Sequence, residues 1–160
     1  MYNYNYHQNP RRNNAINTAA IANQLSQHFI NRVKLQQEQD RLWNLVKRGQ
    51  SCATALKSVD RKIGENTYAI DGLISKLIKA RCRSGKAYSM AVKYLKSEIA
   101  RNQRIISSWE YKIREVESGR SHWIDASGRV HYDSTFAYRY LAKKKEKTAQ
   151  LQRQLSQLIG

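Results

Sequence analysis

Residues 52–118 read CATALKSVDRKIGENTYAIDGLISKLIKARCRSGKAYSMAVKYLKSEIARNQRIISSWEYKIREVES, and two apolar stripes run through them. Leu56, Val59, Ile63, Asn66, Ile70, Leu73, Leu77 and Ala80 fall at alternating steps of three and four residues. That spacing brings one helical face back every 3.5 residues, the period of a coiled-coil seam. Val92, Leu95, Ile99, Asn102, Ile106, Trp109, Ile113 and Val116 repeat it at an offset of 36 residues. Because 36 is five heptads plus one residue, the phase slips once, within Arg83-Ser84-Gly85-Lys86. A Gly inside a helix costs about 1 kcal/mol and Ser favours caps and turns, so the slip reads as a chain reversal. One long helix with a skip residue is the alternative.

With a reversal, the two stripes face each other: Leu77 comes near Val92, Ile70 near Ile99, Ile63 near Ile106 and Leu56 near Ile113. Asn66 and Asn102 then lie within about a layer of one another at mid-seam. A buried amide needs a hydrogen-bond partner, and each would supply the other's, fixing the register of the pair.

Working outward, residues 15–47 read as a first helix with Ile21, Leu25, Phe29 and Val33 on one face and Leu35, Leu42 and Val46 continuing after a shift. Its middle, Gln36-Gln37-Glu38-Gln39-Asp40, is polar nearly all round. Gly49 and Ser51 supply a C-terminal cap and a new N-cap. The second helix is expected over about 51–83 and the third over about 86–117. Residues 121–133 change period and alternate around Asp125-Ala-Ser-Gly128, which predicts a small β-hairpin. A four-residue turn pairs Ile124 with Arg129, sets Trp123 opposite Val130, and puts Trp123, Val130 and Tyr132 on one face as a protein-interaction surface. A fourth helix follows over 134–159, with Ala137, Leu141, Lys144, Thr148, Leu151, Leu155 and Leu158 at seam spacing and the stripe interrupted by the charged run 143–147. Residues 1–14, rich in Tyr and Asn and holding the only proline, lack periodicity and read as a disordered basic tail. The expected architecture is thus mainly all-α: an antiparallel coiled-coil bundle of three to four long helices over 15–160, with a hairpin before the last helix. Short connections favour antiparallel neighbours.

Charge carries the functional reading. Twenty-nine Lys and Arg against twelve Asp and Glu give +17, and cutting the chain at residues 50, 85 and 120 leaves +5, +4, +4 and +4. Solubility needs no such imbalance, and a polyanion would relieve the self-repulsion. Lys76, Lys79, Arg81, Arg83, Lys86, Lys93 and Lys96 occur with no acid between Asp71 and Glu98, and Tyr88 and Tyr94 interleave. Phosphate-backbone binding needs that charge, and exposed tyrosines would stack on bases. Basic residues also complement a helix C-terminal dipole, the bland role for part of this run. Lys143, Lys144, Lys145 and Lys147 form a second candidate patch. The expectation is a non-enzymatic binder of DNA or RNA. A coiled-coil scaffold or assembly subunit, with a homo-oligomer or protein partner on its seams, is the alternative.

Catalysis finds no support in the sequence. Ser84-Gly85-Lys86 lacks the preceding glycine of a phosphate-binding loop, and His122 and His131 fall short of a zinc site's three or four ligands. No cofactor or metal is expected. No apolar run of membrane-spanning length occurs, and Cys52 and Cys82, about 45 Å apart along one helix, cannot bridge within the chain. These features suit an intracellular setting.

Overall fold

The structure, a computed structural model, describes residues 16–160; the expected tail, residues 1–14, lies outside them. Four long helices and one hairpin follow in the expected order: α1 (Thr18–Lys47), α2 (Ala53–Lys79), α3 (Gly85–Glu117), β1 (Trp123–Ile124), β2 (Val130–His131) and α4 (Thr135–Ile159). Asn17 caps α1 by accepting from the Ala20 N–H at 3.0 Å. The first three helices end in one way, with a backbone N–H reaching back five residues: Gln50 to Leu45, Cys82 to Leu77 and Arg120 to Glu115. That closure needs a left-handed residue just before the donor. Gly49 and Gly119 fill it at φ 92° and 79°, but after α2 the position belongs to Arg81, at φ 52°.

The reversal falls at Arg81–Ser84, so the continuous-helix alternative is excluded. α1 begins, α2 ends, α3 begins and α4 ends at one pole, called here the near end. The arrangement corrects the expected pairing of the stripes. α1 packs along α2 and α3 along α4 as antiparallel pairs, while α1 lies against α3 and α2 against α4 in parallel. α2 and α3 therefore sit diagonally, and their stripes point at the bundle axis without interlocking along a shared seam. The fourth helix meets the third as expected, with Leu151 and Leu158 in one core with Leu95, and Val92 and Ile99 packed against it.

Asn66 and Asn102 do not form the expected pair. α1 stands between their helices and inserts Arg32, whose guanidinium donates to Glu98 of α3 at 3.0 and 3.2 Å, to Asn66 Oδ1 at 3.1 Å and to Thr67 Oγ1 at 2.8 Å. Asn66 Nδ2 donates in turn to the His28 carbonyl at 2.9 Å. Burial is the largest influence and works against the Arg32 charge, but the Glu98 hydrogen bonds together with the nearby Tyr94, Glu98 and Asp71 outweigh it and hold the guanidinium more firmly protonated. Asp71 and Lys147 pair at 2.8 Å between α2 and α4. These contacts form a polar waist across the bundle.

The waist divides the core. Toward the near end all four helices share one cluster, including Leu25, Ile70, Leu77, Leu95 and Leu158. Toward the far end the cluster splits: Leu42, Val46, Cys52, Leu56 and Val59 join α1 to α2, and Ile113, Val116, Trp123, Ala137 and Leu141 join α3, the hairpin and α4. The hairpin turn links the two, since the Cys52 N–H donates to the Ala126 carbonyl at 2.9 Å and Ala126 packs on the α1–α2 cluster.

The hairpin register differs from expectation by one residue. Ile124 pairs with Val130 and Trp123 with His131. Gly128, at φ 87°, takes the left-handed position after a tight turn closed by its own N–H to the Asp125 carbonyl at 2.9 Å, and this adds one residue to the loop. The Asp125 carboxylate braces the turn by accepting from the Ser127 and Arg129 N–H groups at 2.9 and 3.0 Å. A slip of one residue moves side chains to the opposite face. Trp123 therefore turns inward, away from Val130 and Tyr132, and is not available as an interaction surface. Its indole N–H donates to Ser134 Oγ at 3.0 Å, and its ring packs on Trp109 at 5.2 Å and edge-on to Phe136 at 5.1 Å.

Candidate nucleic-acid interface

Charge that is even along the sequence becomes uneven in the fold. Three segments that run to the near end, residues 16–37, 72–97 and 147–160, carry eleven Lys and Arg and no Asp or Glu, and of the acids at their borders Asp71 and Glu98 are paired with Lys147 and Arg32. Residues 38–71 and 98–146 hold sixteen Lys and Arg with all twelve acids. An up-and-down fold produces this polarity because each pole collects alternate helix ends from separate parts of the chain.

The seven cations of the acid-free run lie here. Lys76 and Lys79 occupy the last turns of α2, Arg81 and Arg83 the reversal, and Lys86, Lys93 and Lys96 the first half of α3, all with exposed side chains. Lys86 to Lys96 extends about 15 Å along α3. Among the described residues none of the seven lies within ion-pair distance of a carboxylate, whereas Arg32 and Lys147 are paired at the waist. The Arg83 guanidinium lies against Gly160, so the end of α4 adjoins the reversal. Arg153 of α4 and Lys34 of α1 join the set, and reading contiguous runs alone missed them. Their signal in the sequence was negative, the absence of any acid before Glu38 or after Glu146.

The tyrosines at this end are not free platforms. Tyr94 is buried, stacks on Phe29 at 5.1 Å and lies beneath Arg32 at 5.7 Å; burial raises its phenol pKa well above the ordinary value. Tyr88 is half-buried against the near-end core. What remains exposed is cationic, which suits a phosphate backbone better than unstacked bases.

The second candidate patch is largely engaged. Lys147 pairs with Asp71, and Lys145 approaches Glu110 at 3.7 Å. Lys144 is half-buried over the Tyr140 ring at 5.6 Å, and desolvation, with Arg101 nearby, lowers its pKa. Only Lys143 stands exposed outside any ion pair.

Val130 and Tyr132, also singled out in the sequence, are exposed at the opposite pole. Among the described residues no three His, Cys, Asp or Glu side chains gather closely enough to hold a metal, and no helix is long and apolar enough to cross a membrane. The surface depressions on the outer faces of α3, by Ala100 and Arg104, and of α4, by Gln152 and Arg153, bring no catalytic groups together. Comparison with protein families, characterised proteins and solved structures finds no match to this chain.

Proposed function

We propose that this protein is a non-enzymatic binder of nucleic acid that grips the phosphate backbone with the near end of its helical bundle. One observation carries the reading: three separate acid-free segments assemble into one pole whose exposed cations have no carboxylate partner among the described residues. Like charges gathered this way destabilise the free protein, and phosphates relieve the repulsion while releasing counterions. Arg81 adds support, since an arginine occupies a left-handed position where glycine is more stable. With Tyr88 and Tyr94 drawn into the core, the expected ligand is a duplex or other backbone-presenting form, bound with little sequence preference.

The test measures affinity for mixed-sequence duplexes as a function of salt. Reversing Lys79, Arg81, Arg83 and Lys86 to Glu is expected to weaken binding to all sequences alike, and to reduce the slope of log affinity against log salt by up to about 3.6, at roughly 0.9 for each phosphate no longer neutralised. The same change at Lys143, Lys144, Lys145 and Lys147 is expected to cost less binding and more stability, because it places like charges beside Asp71 and Glu110. No measurable affinity of the wild-type protein at about 50 mM salt overturns the proposal. A second reading, an assembly subunit acting through protein contacts, draws support from the exposed aromatic side chains of the far end.

A further inference from the structure

At the far end the hairpin offers an unpaired strand edge. β2 pairs with β1 on one side, and beyond that ladder neither Val130 nor Tyr132 makes a backbone hydrogen bond among the described residues. Their side chains stand outward, 49% and 73% exposed. Such an edge is a ready template for another strand, and a two-stranded ribbon alone is only marginally stable. Tyr111, Ile124, Phe136 and Tyr138 are exposed at this pole too, making six exposed apolar or aromatic side chains, four of them aromatic, against the aliphatic Ile30, Val33 and Ile159 of the near half.

Charge selects which poles of two molecules can meet. The near ends repel each other, whereas the far-end segments interleave sixteen Lys and Arg with twelve Asp and Glu. The β2 edge is moreover complementary to itself. Laid antiparallel on its own copy about a two-fold axis at His131, it sets Arg129 opposite Asp133 and Val130 opposite Tyr132. Opposite charges and an aliphatic–aromatic pair are both favourable cross-strand combinations. Arg129 has no ion-pair partner among the described residues, and of the Asp133 carboxylate only Oδ1 is used, accepting from the Thr135 N–H and hydroxyl. At the axis, each His131 ring is held at 2.6 Å by its own Asp125, whose charge offsets the meeting of two imidazoles.

We propose that a second copy of this chain docks here, β2 against β2, forming a four-stranded sheet and directing two near ends away from each other. The dimer does not depend on nucleic-acid binding, but if both hold, one particle carries two backbone-binding poles. Sedimentation equilibrium of the full chain at about 100 µM, a concentration that populates weak interfaces, is expected to give twice the 18.6 kDa chain mass. Arg129→Asp is expected to weaken the dimer by about tenfold or more, and combining it with Asp133→Arg to restore it. Because Asp133 also holds Thr135, a second measurement avoids that residue. His131→Cys, in a chain with Cys52→Ala and Cys82→Ala, is expected to form an intermolecular disulfide across the axis, and Arg129→Cys in the same background is not. The quadruple reversal at Lys79, Arg81, Arg83 and Lys86 is expected to weaken nucleic-acid binding and leave the dimer, so the two proposals fail separately. A monomer at every concentration, or a dimer that Arg129→Asp leaves intact, overturns the inference.

Discussion

Replacing Arg81 by Gly is expected to relieve backbone strain while weakening the hold on nucleic acid. Arg81 closes α2 at φ 52°, in a turn that α1 and α3 complete with Gly49 and Gly119. A left-handed conformation costs an L-residue roughly 1–2 kcal/mol. Glycine removes that strain but leaves the unfolded chain freer, which returns about 0.4–1 kcal/mol. The expected net gain is about 0.5–1 kcal/mol, and for a chain of this length about 2–4 °C in Tm accompanies each kcal/mol. Losing a cation beside the α2 C-terminus works the other way, by about 0.3–1 kcal/mol, so the informative comparison is with Arg81→Ala, which loses the same charge and keeps the strain. In urea unfolding followed by circular dichroism, Arg81→Gly should exceed Arg81→Ala in midpoint at unchanged m value. Both variants should lose equal affinity for duplex DNA, because both lose the same charge. Equal stability of the two variants would refute the argument that strain is retained here for the sake of charge.

Trp123→Ala removes a ring packed on Trp109 and Phe136 and a hydrogen bond to Ser134; a loss of about 3–5 kcal/mol is expected, with hydrogen exchange rising first over 121–133 and at Cys52, whose N–H depends on the Ala126 carbonyl. Uniform loss of protection along all four helices would show instead that the hairpin unfolds only with the bundle. Asn66→Leu is expected to cost about 1–3 kcal/mol, because it deprives the Arg32 guanidinium and the His28 carbonyl of a partner. A thermal melt showing a rise in Tm for this variant would argue against the polar waist.

The sequence by itself determined the elements and where they stop. Heptad spacing from Leu56 to Ala80 and from Val92 to Val116 marks two long helices, because side chains three and four residues apart share a face whatever that face meets. Gly49, Ser84-Gly85 and Gly119 mark breaks for equally local reasons of backbone sterics and capping. Tertiary structure alone decided three further things. A stripe tells which face is buried but not which helix buries it, so the diagonal placement of α2 and α3, and the answer to Asn66 in Arg32 of α1, follow only from packing four helices together. In the hairpin, Gly128 serves a four-residue turn or a one-residue bulge equally well; the observed bulge goes with Trp123 seated between Trp109 and Phe136. The candidate interface was half legible: the run from Lys76 to Lys96 is contiguous, but the acid-free pole around it is built from both termini as well, and charge balance in space depends on which helix ends the fold brings together.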